Sequence, residues 1–279
     1  MFEKMKIRYY IGLILLMVLG WQVAISKDVM PKELENIIGI FPFELSSVLF
    51  FGYYFYKQKI SLNTVVYDHP DHKWSVPSLI GIVLIFNTFS LTTYWVYLLI
   101  QDSFFILEPF IVKQAPGSSL ILIAMMIKST VTGPIVEEFV CRGLLLNRLI
   151  TKTNMWGGIL ISSSIFAALH IQTEKLIATF LFGIVASLIY LKTKNLFFPI
   201  LIHILHNSLA FIQTSVFPKW MEFLFFASSE DIHTNVVLKS TLLVISSMLM
   251  ILVIVYLVKD VRSENRKTEI LPEPEGLQS

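Results

Sequence analysis

Two adjacent carboxylates and an arginine, Glu137, Glu138 and Arg142, lie in the stretch GPIVEEFVCRGLLLNR at 133–148, inside a chain that is otherwise largely apolar. Removing a carboxylate from water costs several kcal/mol unless it is paired or protonated, so two in succession need a use. Glu138 and Arg142 are four residues apart and share a helical face, where the guanidinium can neutralise that carboxylate. Glu137 points about 100° away and is left to face a cavity. Further on, Phe166 and His170 are four apart, as are His203 and Asn207, with His206 one turn from His203 on a partly different face. Any one of these could be an ordinary salt bridge or a hydrogen-bonded histidine in a helix interface. Ionisable groups on three separate apolar helices must each find a partner away from lipid, and the arrangement of least cost has them meet.

Their joint chemistry is hydrolysis of an amide by an activated water. A glutamate in a dry pocket can take the proton from a water, and a histidine can orient that water. His203 with Asn207 can donate hydrogen bonds to the oxyanion of a tetrahedral intermediate. A zinc route stays open, because Glu137, His170 and His203 offer one carboxylate and two imidazoles, a catalytic shell with a free position. The HExxH spacing is absent and asparagine is a poor zinc ligand, which favours the metal-free route. No Ser-His-Asp set competes, and the single cysteine, Cys141, reads as a small apolar helix residue rather than a disulfide or zinc partner.

The elements that must position these groups are membrane spans. The 279 residues are 55% hydrophobic and 15% charged, with a mean hydropathy of +0.69. Those values belong to a polytopic membrane protein, not to a soluble core. Apolar runs predict about eight transmembrane helices in an all-α chain: 11–25, 37–56, 76–100, a fourth from 119 interrupted at Gly133-Pro134, 156–171, 176–191, 196–212 and 240–258. The first, with no small-residue cleavage site after it, reads as a retained helix. Lys and Arg in the short loops place both termini on the cytoplasmic side of the cell membrane. The division is 1–118 for the first three helices, 119–213 for a catalytic core of helices four to seven, 214–258 for an outer loop and the eighth helix, and 259–279 for a disordered tail. A formal charge of +2 with scattered basic clusters speaks against nucleic-acid binding. Lys128, in mid-span, is expected to snorkel or pair with a carboxylate. Tryptophans at 21, 74, 95, 156 and 220 are read mostly as interfacial belts, and His69 and His72 with Asp68 and Asp71 as a solvated cluster. On residue counts His170 lies near the outer end of its span and His203 only about 10 Å in from the cytoplasmic end of its own, so helix limits several residues off are expected.

EExxxR (Glu137, Glu138, Arg142), FxxxH (Phe166, His170) and HxxxN (His203, Asn207), in that order across 119–212, resemble the type II CAAX prenyl endopeptidases, whose bacterial branch is the CAAX protease and bacteriocin-processing, or Abi, family. The resemblance implies an intramembrane endopeptidase. In it Glu137 activates water with His170, His203 and Asn207, while Glu138, Arg142 and Phe166 support them. It also implies a peptide or membrane-protein substrate within the lipid bilayer, and bacterial members linked to peptide maturation, bacteriocin immunity or regulation of surface proteins. The family is often labelled metalloprotease. The rival expectation is a non-catalytic binding or regulatory protein on the same scaffold, such as an immunity factor or a sensor-kinase adaptor.

Overall fold

The computed structural model describes residues 5–26, 41–61, 75–104, 119–170, 175–213, 233 and 235–270. They form eight helical segments: α1 (Ile7–Ser26), α2 (Pro42–Gln58), α3 (Val76–Ser103), α4 (Ser119–Lys152), α5 (Met155–Leu169), α6 (Leu176–Thr193), α7 (Phe197–Phe211) and α8 (Val236–Ile270). Among the described residues there is no strand. Four helices, α3, α4, α6 and the Val236–Ser263 part of α8, are long and apolar enough to cross a membrane. The chain is an all-helical polytopic membrane protein, and the exposed leucines, isoleucines and valines along these helices are what a lipid-facing surface requires.

Local signals set the helix ends. Ser75 caps α3 with its hydroxyl at the Ser78 N–H, and the Asn154 side chain accepts the Gly157 N–H at 2.8 Å to start α5. Pro42 and Pro77 occupy first turns, where a missing N–H removes nothing. α6 ends on Lys194 in the left-handed region, at φ 51°.

α4 departs from the expectation of a break at Gly133-Pro134. It is one continuous rod in which α-helical pieces alternate with π-helical stretches at Lys128–Thr132 and Phe139–Leu146. The junction residues Thr132 and Glu138 keep ordinary helical dihedrals. The Gly133 N–H reaches back five residues to the Lys128 carbonyl, so the chain widens there instead of stopping. A Cβ on Gly133 would sit 2.7 Å from that carbonyl oxygen, which is why the position needs glycine. Such widened turns collect at functional sites, and these two bracket Glu137 and Glu138.

Around α4 the helices pack through small residues. A Cβ on Gly158 would fall 2.4 Å from Ile150 Cγ1, so α4 and α5 form a tight hairpin. α5 lies against α6 at Gly183, where a Cβ would come within 2.8–2.9 Å of the Cα, Cβ and Oγ of Ser163. Close backbone approach of this kind is how membrane helices associate without a hydrophobic driving force. Gly183→Ala is therefore expected to push α6 off α5 and cost about 1–3 kcal/mol, read as a lower thermal midpoint of the detergent-solubilised protein. α7 packs on α3 and α4, α8 on α3 and α6, and α2 on α1 and α4.

Three expectations need correcting. The limits of the fifth and seventh helices lie within two residues of those read from the sequence, so misplaced boundaries are not what reconciles the depths of His170 and His203. A displaced or tilted fifth helix is the alternative that remains, since both imidazoles reach Glu137. The stretch expected to be disordered from residue 259 is helical as far as Ile270, and Lys192 holds it to α6 with Nζ 2.5 Å from Asp260 Oδ2. Trp95 is 3% exposed, packed inside the helices with the Lys239 ammonium 5.7 Å from its ring centroid, and is no interfacial belt residue. The pairs His69/His72 and Asp68/Asp71, with Trp74 and Trp220, lie outside the described residues.

Candidate active site

Glu138 and Arg142 occupy successive turns of α4 and meet as expected, with Arg142 Nη1 donating to Glu138 Oε1 at 2.9 Å. Both side chains are sealed from solvent, at 0% and 1% exposure. A buried ion pair persists only when other contacts compensate its lost hydration. Here Arg142 Nη2 donates to the Gly183 carbonyl at 3.3 Å, and its guanidinium stacks over Phe166 at 4.5 Å and near Phe182 at 6.0 Å.

The carboxylate of Glu138 has a second task. Its Oε1 accepts from His203 Nδ1 at 2.8 Å, while Phe182 and Phe166 hold the imidazole at ring distances of 4.6 and 5.7 Å. His203 is thereby fixed in orientation, and its Nε2 is presented to Glu137 Oε2 at 3.7 Å. A parallel arrangement holds His170, whose Nδ1 donates to the Phe166 carbonyl at 2.9 Å and whose ring meets that of Phe166 edge-on at 4.7 Å. Its Nε2 also faces Glu137 Oε2, at 3.9 Å. In both histidines an acceptor-only group occupies Nδ1, so Nδ1 carries the hydrogen.

Glu137 thus stands between two imidazoles, with Oε2 buried and unpaired by any described protein group. Its side chain as a whole is 27% exposed and that of His170 30%, against 4% for His203. One turn of helix carries a dry glutamate in the ion pair and a wetter one turned to the two imidazoles. Tetrahedral zinc ligands at about 2.0–2.1 Å stand about 3.4 Å apart, closer than the separations here. Among the described residues no group of three or more His, Cys, Asp or Glu is placed to hold a metal ion. One water at hydrogen-bond lengths of about 2.8 Å from each group also fits between them.

Asn207 has another neighbour. Its Nδ2 donates to the Ser129 carbonyl at 2.8 Å, bridging α7 to the first widened turn of α4, and no contact joins it to Glu137 among those resolved. His206 turns away to Phe86, 4.7 Å between rings. Residues that pattern reading missed are Phe182 and Gly183 on α6, which wall the ion pair, and Glu44 on α2, which lies 3.8 Å from Lys128 Nζ. Glu44 and Lys128 each carried a signal as charges in apolar runs, but nothing in the sequence links them.

A model of the family described as "Rce1-like: Type II CAAX prenyl endopeptidase Rce1-like" matches residues 119–209, which span α4 to most of α7. Among curated proteins, the "Putative membrane peptidase YdiL" of Bacillus subtilis (strain 168) is 34% identical over 89 residues, covering 32% of this chain and 36% of that protein. The "Uncharacterized 24.3 kDa protein" of Escherichia coli is 31% identical over 102 residues, 34% of this chain and 47% of that one. The matched part thus spans between a third and a half of each relative. No solved structure matches.

Proposed function

We propose, from the match of residues 119–209 to the Rce1-like type II CAAX prenyl endopeptidases, that this chain is an intramembrane peptidase hydrolysing a peptide bond of a membrane-associated peptide or protein. One observation carries the reading: Glu137 Oε2 faces the Nε2 atoms of both His170 and His203, at 3.9 and 3.7 Å, while each histidine is held through its other nitrogen.

In this mechanism a water lies between Glu137 and His170. Glu137 takes one of its protons as the water oxygen attacks the substrate carbonyl, and His170 Nε2 accepts a hydrogen bond from the remaining O–H. His203 in its imidazolium form donates through Nε2 to the oxyanion. The charges then balance, Glu137 and Glu138 against Arg142 and His203. Collapse of the intermediate breaks the C–N bond, and protonated Glu137 returns its proton to the leaving amine. The Lys and Arg distribution supports a location in the cytoplasmic membrane with both termini inside.

Purified protein in detergent, incubated with a peptide mixture and followed by mass spectrometry, is expected to release defined fragments. His170→Ala should slow cleavage about 10²-fold or more, and a chelator should leave it unchanged. Cleavage at the wild-type rate by His170→Ala would remove this reading.

A further inference from the structure

Helix α4 has a carbonyl that its own backbone cannot serve. In the widened turn the Gly133 N–H bonds to Lys128 O, five residues back. In that register the next carbonyl, Ser129 O, falls to the nitrogen of residue 134, which is proline and has no hydrogen. A backbone carbonyl left unpaired within a bilayer costs free energy, so it takes a donor from elsewhere. The Asn207 amide supplies it at 2.8 Å from α7. The second widened turn is treated alike: Asn147 Nδ2 donates to the carbonyls of Arg142 and Gly143 at 3.2 and 2.9 Å, and Ser162 Oγ donates to that of Cys141 at 3.2 Å.

We infer that Asn207 is a positioning residue: its amide serves the carbonyl that Pro134 leaves open and so ties the turn before Glu137 to the helix carrying His203. Asn207 lies one turn beyond His203 and Ser129 two turns before Glu137, so this bond fixes the sliding and rotation of α7 against α4. Those are the motions that would open the 3.7 Å approach of His203 to Glu137. The bond stands on geometry alone, and its consequence for cleavage rests on the peptidase reading.

The test is a double-mutant cycle on the full chain in detergent, with Asn207→Leu, Pro134→Ala and the pair, read by thermal midpoint. Selective ¹³C labelling of the six histidines adds a second readout, with the His203 signal assigned through His203→Gln. Asn207→Leu should lower the midpoint by about 3 °C or more and shift the His203 resonance. Pro134→Ala gives residue 134 an N–H for Ser129 O, so in that background the same substitution should lose at most half as much and leave the His203 resonance near its original place. Equal losses in both backgrounds, or no loss in either, would overturn the inference. The cycle reads stability and ring environment, so its outcome does not depend on whether the chain cleaves peptides. Should Asn207→Leu not fold, Asn207→Asp, which removes the N–H donors at constant size, enters the same cycle with the same two outcomes.

Discussion

Glu137→Gln is expected to lower the cleavage rate about 10²- to 10⁴-fold, the range over which a positioned general base contributes. The thermal midpoint should stay near that of the unmodified protein. The amide fills the same volume between the two imidazoles but cannot take a proton from water. The side chain belongs to no ion pair shorter than 3.7 Å and its Oε2 makes no hydrogen bond to a described protein group, so folding has little invested in it. Rates measured against substrate concentration should separate this from a binding defect: kcat falls while KM stays close to its starting value. A variant that cleaves at the original rate would show that the base lies elsewhere.

Arg142→Ala is expected to do the opposite, destabilising the fold by about 3–5 kcal/mol, because Glu138, with no exposed surface, would lose its guanidinium and keep only the bond from His203. For a marginally stable protein that is a large share of the total, and the measurement is the thermal midpoint or the yield of folded protein after detergent extraction. Lysine at this position should not rescue it. Arg142 donates in two directions, to Glu138 Oε1 and to the Gly183 carbonyl, while its plane lies over Phe166, and an ammonium offers no plane to stack. If Arg142→Lys kept full stability, the two-way bonding and stacking would be dispensable. One turn apart, then, the two glutamates and their arginine divide into a pair of positions that hold the fold and one that is free for chemistry.

The helices were legible because apolar runs of membrane length declare themselves, and the third, fifth, sixth and seventh came out within three residues of the observed limits. The pairing of Glu138 with Arg142, and the setting of Phe166 beside His170, followed from four-residue spacing on a helical face. What spacing could not show is how helices meet. Nothing periodic announces that Glu138 reaches across to His203, that Lys128 lies 3.8 Å from Glu44, or that Gly183 lends a carbonyl to Arg142. The widened turns were hidden for a related reason. Gly133-Pro134 reads locally as a stop, yet the chain runs through it, and the carbonyl of Ser129 is served from α7 by Asn207. That donor was expected at the oxyanion, on its four-residue spacing from His203 and on the family resemblance.

The widened turn at Lys128–Thr132 also makes length a part of the recognition between these helices. Such a turn holds one residue more than ordinary pitch would take. Losing one amino acid there would let the rod tighten to ordinary pitch with Glu137 still facing its two imidazoles, whereas gaining one without further widening would turn everything downstream by about 100° without altering one motif letter. Spelling and tally must therefore agree for the constellation to assemble: a chain with every signature residue intact, but one too long for the turn between Ile127 and Gly133, would aim its carboxylate away from both imidazoles.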